Sequence, residues 1–187
     1  MTIADPDAID ALIRARRTCL RMDSESPIDP TTIGELCRLA TFAPNHHRTE
    51  PWRFAVFTGN GRRDLGDTIA AVMSSNGTRP EKVAKTRVKY MRAPAILVIG
   101  TSAGTSALET VENRDAVAAA VQNILLAATA RSLASFWSSV ATPDAAQLLD
   151  LCGFEPDTSV VAAIYLGHPD GTCPPPEREG PRVRWIG

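Results

Sequence analysis

The chain has 187 residues, 44% of them hydrophobic and 22% charged, with a net charge of −1. That length suits one domain, here taken as 1–187, with a sizeable core. The near-neutral balance excludes a bulk electrostatic case for nucleic acid or an anionic membrane, and no apolar run approaches the ~20 residues of a spanning helix. The first residues, Met1 to Asp7, are acidic and lack the apolar stretch of a signal peptide, so a cytoplasmic location is expected.

Residues 6–20 read as a helix, with Pro6 in its first turn and Ile9, Leu12, Ile13 and Leu20 at helical spacing. Asp29 reads as an N-cap ahead of Pro30, opening a second helix that Pro44 stops. Trp52 to Thr58 alternates as a strand and ends at Gly59-Asn60-Gly61. A helix over 62–74, a loop over 75–80 and a basic helix over 81–91 follow, the stretch 75–92 being a candidate lid. Pro94 to Gly100 is a continuous apolar run of the kind buried on both faces of a sheet. Residues 112–133 form the longest helix, apolar round most of its circumference, which predicts burial almost all round at the centre of the fold or against another subunit. A short strand from Ala134 to Val140, a helix from Pro143 to Leu151 and a last strand from Ser159 to Gly167 complete the core. The tail holds Pro169, Pro174, Pro175, Pro176 and Pro181 and reads as an extended arm. The pattern predicts an α+β fold, a three-layer sandwich around a mixed sheet of four to five strands.

The four cysteines, Cys19, Cys37, Cys152 and Cys173, show neither Cys-x-x-Cys nor zinc-ligand spacing and read as small buried or half-buried thiols. His46 and His47 do not read as a metal pair, because adjacent side chains diverge and no carboxylate or cysteine completes a set, so no metal is expected. There is no Gly-x-Gly-x-x-Gly after a strand, no Walker loop and no Gly-x-Ser-x-Gly elbow, which argues against a Rossmann domain, a P-loop enzyme or a serine hydrolase.

Two clusters stand out. Arg16-Arg17-Thr18 offers two permanent guanidinium forks and a hydroxyl, suited to phosphate oxygens. Ala43-Pro44-Asn45-His46 runs through a polar loop to Pro51-Trp52 and the first strand. Further on, Trp137-Ser138-Ser139 puts an aromatic face and hydroxyls at a strand end.

These clusters, with Arg92-Ala93-Pro94, the Ala-rich helix carrying Gln122, and Leu166-Gly167-His168-Pro169, resemble in order the FMN-dependent nitroreductase family, in particular its small YdjA-like branch. The resemblance runs from about residue 8 to 170. It implies FMN held by Arg16, Arg17 and Thr18, with Phe42, His46, Trp137, Ser138 and Ser139 lining the flavin. It also implies a homodimer with FMN at the subunit interface, and NADH or NADPH as electron donor. A small electrophile such as a nitroaromatic or quinone would be the acceptor, in a ping-pong cycle. No protein side chain is expected to be a catalytic nucleophile or acid–base group. Ser138 stands where the family pattern has Arg, and Glu50 where it has Gln. Arg178, Arg182 or Arg184 of the arm is a candidate replacement for the missing charge, and a flavin storage or sensor protein is the alternative reading.

Overall fold

The computed structural model describes residues 5–174 and 177–187. Its organising element is β3, Ala95–Thr101, buried at every position. It pairs antiparallel with β2, Trp52–Thr58, on one side and with β5, Ser159–Pro169, on the other. β5 also pairs antiparallel with β4, Ala134–Ser138, and, at its end, with the two-residue β1, Met22–Asp23. The expected mixed sheet thus has five strands whose ladders are all antiparallel. The parallel pairing among the described residues is an isolated bridge between Thr18 and Ser135.

Side chains alternate across the pleat, so the two faces of β3 feed two cores. Ala95, Leu97 and Ile99 face a layer that includes α2, Pro30–Ala40, and α5, Ala107–Ala130. Ile96 and Val98 face a layer built from α3, Gly61–Ser75, α4, Pro80–Lys89, and α6, Ala146–Cys152. These are the three expected layers. A helix α1, Pro6–Ala15, lies against α5 and buries none of its own residues.

Local chemistry sets several of these boundaries. The Asp29 carboxylate accepts the Thr31 amide at 2.7 Å with Pro30 in the first turn, the predicted cap. The Ser106 hydroxyl accepts the Glu109 amide at 3.1 Å and starts α5 five residues before the predicted 112. α1 stops at Ala15, short of the expected residue 20, because Arg16 leaves the helix at ψ 131° and the next residues run extended to reach β4. The candidate lid over 75–92 is α4 packed on α3. A Cβ on Gly66 would sit 2.1 Å from the Arg87 carbonyl oxygen, an approach only glycine allows.

Two other expectations are corrected. Within one chain α5 is not buried all round: Ala116, Val117, Ala120, Val121, Ile124 and Ala128 form one buried stripe, while Gln122 is exposed and Ala118, Ala119, Leu126 and Ala127 are half-buried, which leaves packing against another subunit as the other half of that expectation. A central position in this protomer is thereby excluded for its outer face. The cysteines are not four thiols either, since Cys19 and Cys173 form a disulfide. Cys37 and Cys152 are free and half-buried, as expected. The tail is extended and exposed over 177–187, with Trp185 and Ile186 bare; Pro175 and Pro176, like residues 1–4, lie outside the described residues.

Candidate functional site

The residues singled out from the sequence fall into two groups in the fold. The first gathers at the β4 side of the sheet. The Thr18–Ser135 bridge and the Cys19 amide, which donates to the Ser135 carbonyl at 3.0 Å, lay the strand after α1 along β4. Arg16 and Arg17 are thus half-buried on an extended exit segment, not on the last turn of a helix. Arg17 Nη1 donates to the carbonyls of Arg14 and Arg16. Among the described residues neither arginine has a carboxylate partner. Arg17 also lines a cavity of about 270 Å³ with Cys19, Thr129, Ser132 and Cys173. The disulfide therefore pins the start of the arm against the wall of this cavity.

Further along β4, Trp137 is 38% exposed and Ser138 Oγ donates to the Ser139 carbonyl at 3.0 Å. Ser135 was not singled out from the sequence. Its hydroxyl is buried without a hydrogen-bond partner, an arrangement that costs free energy unless something satisfies it. The local signal was its place in the same serine-rich strand.

The second group is spread along α5 toward its other end. Phe42 follows α2 and is 70% exposed, with the Arg38 guanidinium 5.4 Å from its ring centre. His46 opens a short 3-10 turn, His46–Arg48, leading into β2. His47, Arg48 and Glu50 all have positive φ, a costly backbone for residues with a Cβ. Side chains hold it. Asn45 Nδ2 donates to Thr49 Oγ1 at 3.0 Å, and Thr49 Oγ1 donates to Asn113 Oδ1 of α5 at 2.6 Å. His46 Nδ1 lies 3.1 Å from a Glu112 carboxylate oxygen on α5.

The fold does not bring Arg17 and His46 together within one protomer. His46 is anchored at Glu112, whereas Arg17 shares its cavity with Thr129, seventeen residues further along α5. At a rise of about 1.5 Å per residue, that is roughly 25 Å. A larger cavity, about 570 Å³, opens between β2, α2 and the start of α3, lined by Ile28, Ile33, Val56 and Arg62 among others. It takes in none of the predicted residues. Arg62 there is committed to the carbonyls of Gly59, Ser24 and Ala93.

No helix among the described residues is long and apolar enough to cross a membrane. The arms of Arg178, Arg182 and Arg184 are exposed and make no ion pair among the described residues.

Comparison with known proteins agrees with this architecture. The chain is 27% identical over 164 residues to "Putative NAD(P)H nitroreductase YfhC" of Bacillus subtilis, covering 85% of this chain and 83% of that one. It is 26% identical to "Putative NAD(P)H nitroreductase YdjA" of Escherichia coli, covering 87% and 88%. Among solved structures, a nitroreductase-like family protein from Bacillus cereus superposes with a TM-score of 0.77 at 25% identity, over 98% of this chain and 94% of that one. A nitroreductase with bound FMN from Bacteroides fragilis gives 0.78 at 16% identity, over 98% and 100%, and shares the fold. The nitroreductase family model matches residues 13–168, which include both groups of candidate residues, and the chain belongs to the nitroreductase family.

Proposed function

We propose that this protein is an FMN-dependent oxidoreductase that takes hydride equivalents from NADH or NADPH and passes them to a small electrophile such as a nitroaromatic or quinone. The observation that carries the reading is the pair Arg16 and Arg17, half-buried and without an acidic partner among the described residues. Two guanidinium groups so placed favour an anion, and the unsatisfied Ser135 hydroxyl beside them favours a polar ligand. Residues that fit a flavin mononucleotide are therefore present. Arg16 and Arg17 take phosphate oxygens, and Thr18 adds a hydroxyl. The exposed Trp137 face packs against a planar ring, and Ser138 and Ser139 offer polar groups at its rim. Phe42 and His46 close the site from the other side. The positive charge at Arg17 favours negative charge that develops nearby. Bound flavin supplies the hydride chemistry that no side chain of this chain supplies. One open face serves donor and acceptor in turn, which is a ping-pong cycle.

The separation along α5 implies that the site is shared. Two copies of α5 packed antiparallel across a two-fold axis would set the Arg17 end of one against the His46 end of the other. The exposed apolar residues Leu108, Val111, Ile13 and Phe42 are the surface such a pairing would cover. We place the reaction in the cytoplasm, where reduced nicotinamide is made.

An absorbance spectrum of the purified protein, followed by anaerobic addition of NADH or NADPH, tests the reading. Flavin bands that bleach on addition are expected. A yellow protein that stays unbleached by both donors favours flavin storage, the reading suggested by Ser138 in place of Arg. A colourless protein that does not take up FMN ends the flavin assignment. Light scattering should give the mass of two subunits, and a one-subunit mass with FMN still bound would exclude a shared site.

A further inference from the structure

From the sequence, a metal at His46-His47 had two objections: neighbouring side chains diverge, and no third ligand stands nearby in the chain. The fold removes both. His47 sits at φ 59°, ψ 3°, and its ring stacks on that of His46 with centroids 3.8 Å apart, so the two imidazoles share one side of the loop. The third donor arrives from α5, where a Glu112 carboxylate oxygen stands 3.1 Å from His46 Nδ1. One donor atom from each of His46, His47 and Glu112 lies within 4.8 Å of the others. Bonds of about 2.0–2.2 Å in a tetrahedral set hold donors roughly 3.3–3.6 Å apart. The His46–Glu112 spacing is already close to that, and closing the rest is a matter of side-chain rotation.

The mounting is firm. Asn113, 2% exposed, accepts from Thr49 and ties the loop to α5 on the turn that carries Glu112. Asp115 lies three residues past Glu112 and lines a cavity of about 330 Å³ with His46 and Glu112, so a further carboxylate faces the same space. Imidazole nitrogens with carboxylate oxygen suit zinc, nickel or cobalt ions rather than calcium or magnesium, which take all-oxygen sets.

We infer that His46, His47 and Glu112 form a binding site for a divalent transition-metal ion, with Asp115 placed to add an oxygen. The inference does not rest on the flavin reading, in which His47 and Glu112 take no part. Because His46 belongs to both, an ion there would also lock the loop that the flavin reading assigns to the partner's half of the site.

The test is calorimetric titration of the full-length protein, dialysed against chelator, with zinc(II) chloride and separately with cobalt(II) chloride. One ion per subunit is expected, with micromolar affinity, and a cobalt spectrum without thiolate charge-transfer bands. His47→Ala and Glu112→Gln should each weaken binding on the order of tenfold or more. His168→Ala, which removes the one histidine outside the cluster, should leave it unchanged. Circular dichroism matching the parent confirms that each variant is folded, and Glu112→Gln keeps the side-chain shape. Absence of saturable uptake, or uptake that survives both cluster substitutions, would overturn the site and reduce the contact to a plain histidine–carboxylate pair.

Discussion

The two ends of α5 hold their candidate side chains in opposite ways. At the C-terminal end the chain after α1 is laid along β4, and a covalent bond between Cys19 and Cys173 closes the arm over it. The unpaired charge there, among the described residues, is positive, from Arg16 and Arg17, while Arg14 is paired with Asp10. At the N-terminal end a loop with three positive-φ residues is held by hydrogen bonds through Asn45, Thr49 and Asn113. Glu109, Glu112 and Asp115 of α5 stand there against the imidazoles, with Arg48 in the same loop and Arg114 on the same turn of the helix. Between them runs a stripe of buried aliphatic residues with no polar chemistry. The difference teaches that the helix works as a spacer: it keeps Arg17 and His46 about 25 Å apart in one copy, and the shared site proposed above therefore needs a second copy.

The most damaging way to break this arrangement is to hollow out the spacer. Ile124 is fully buried between α5 and the sheet. Ile124→Ala should cost about 2–5 kcal/mol in urea denaturation, the range for a large-to-small change in a packed core. A loss below about 1 kcal/mol would mean that the middle of α5 does not carry the fold.

Next in size is the covalent staple at the C-terminal end. The Cys19–Cys173 bond closes a loop of 154 residues, and Cys173→Ser should lower stability by about 2–4 kcal/mol through the freed unfolded chain. The bond and a cytoplasmic location pull against each other, because disulfides are rare in reducing compartments. Alkylation of unfolded, unreduced protein taken directly from cells decides: two reactive thiols are expected with the bond intact, and four if cells keep it reduced.

Arg17→Ala should weaken FMN binding by about 1.5–3 kcal/mol, the worth of a charge-assisted hydrogen bond. Mixing subunits sharpens this into a test of sharing. A hybrid of one Arg17→Ala subunit and one His46→Ala subunit puts both defects in one site and leaves the other intact. Flavin titration of that hybrid should recover half of the tight sites. Uniformly weak binding at both would place each site within a single subunit.

Much of this was legible from the chain, for reasons particular to each element. β2 and β3 fall within a residue of expectation because alternating and continuous apolar runs are local signals, and the Asp29–Pro30 cap is a local hydrogen bond. The Ser106 cap is equally local, its hydroxyl accepting the Glu109 amide, but apolar spacing alone places the start of α5 five residues later. The remaining differences are long-range. β1 exists only because Met22 and Asp23 meet Pro169 and His168. Arg16 leaves its helix because Thr18 has a partner on β4, a tertiary pairing that overrides helix propensity. Glu112 joins His46 across sixty-six positions of sequence, and no spacing rule reaches that far. The residue types of the site could be read locally; their division between two ends of one helix could not.

The smallest expected effect compares the two faces of the sheet through their free thiols. Cys37, on α2, borders the cavity beside β2, and Cys152 ends α6 on the opposite face. Burial pushes both thiols up from an ordinary 9.0, Cys37 to about 11 and Cys152 to about 12. A thiol whose pKa is higher folded than unfolded favours the folded state in full below the unfolded value, and that contribution disappears as pH rises through the folded value. Stability should therefore decline from about pH 9 upward. Tyr90 and Tyr165 are also pushed up by burial, from 10.0, so they join the decline at higher pH. Between about pH 9 and 10 the thiols act ahead of the tyrosines, partly offset by Lys89, whose ammonium is pushed down from 10.5 chiefly by burial and whose deprotonation works the other way. Replacing both by alanine should flatten the urea midpoint across that interval while leaving the fall above it. An unchanged slope would mean that both sulfurs are open to water, and that neither layer seals its edge of the sheet.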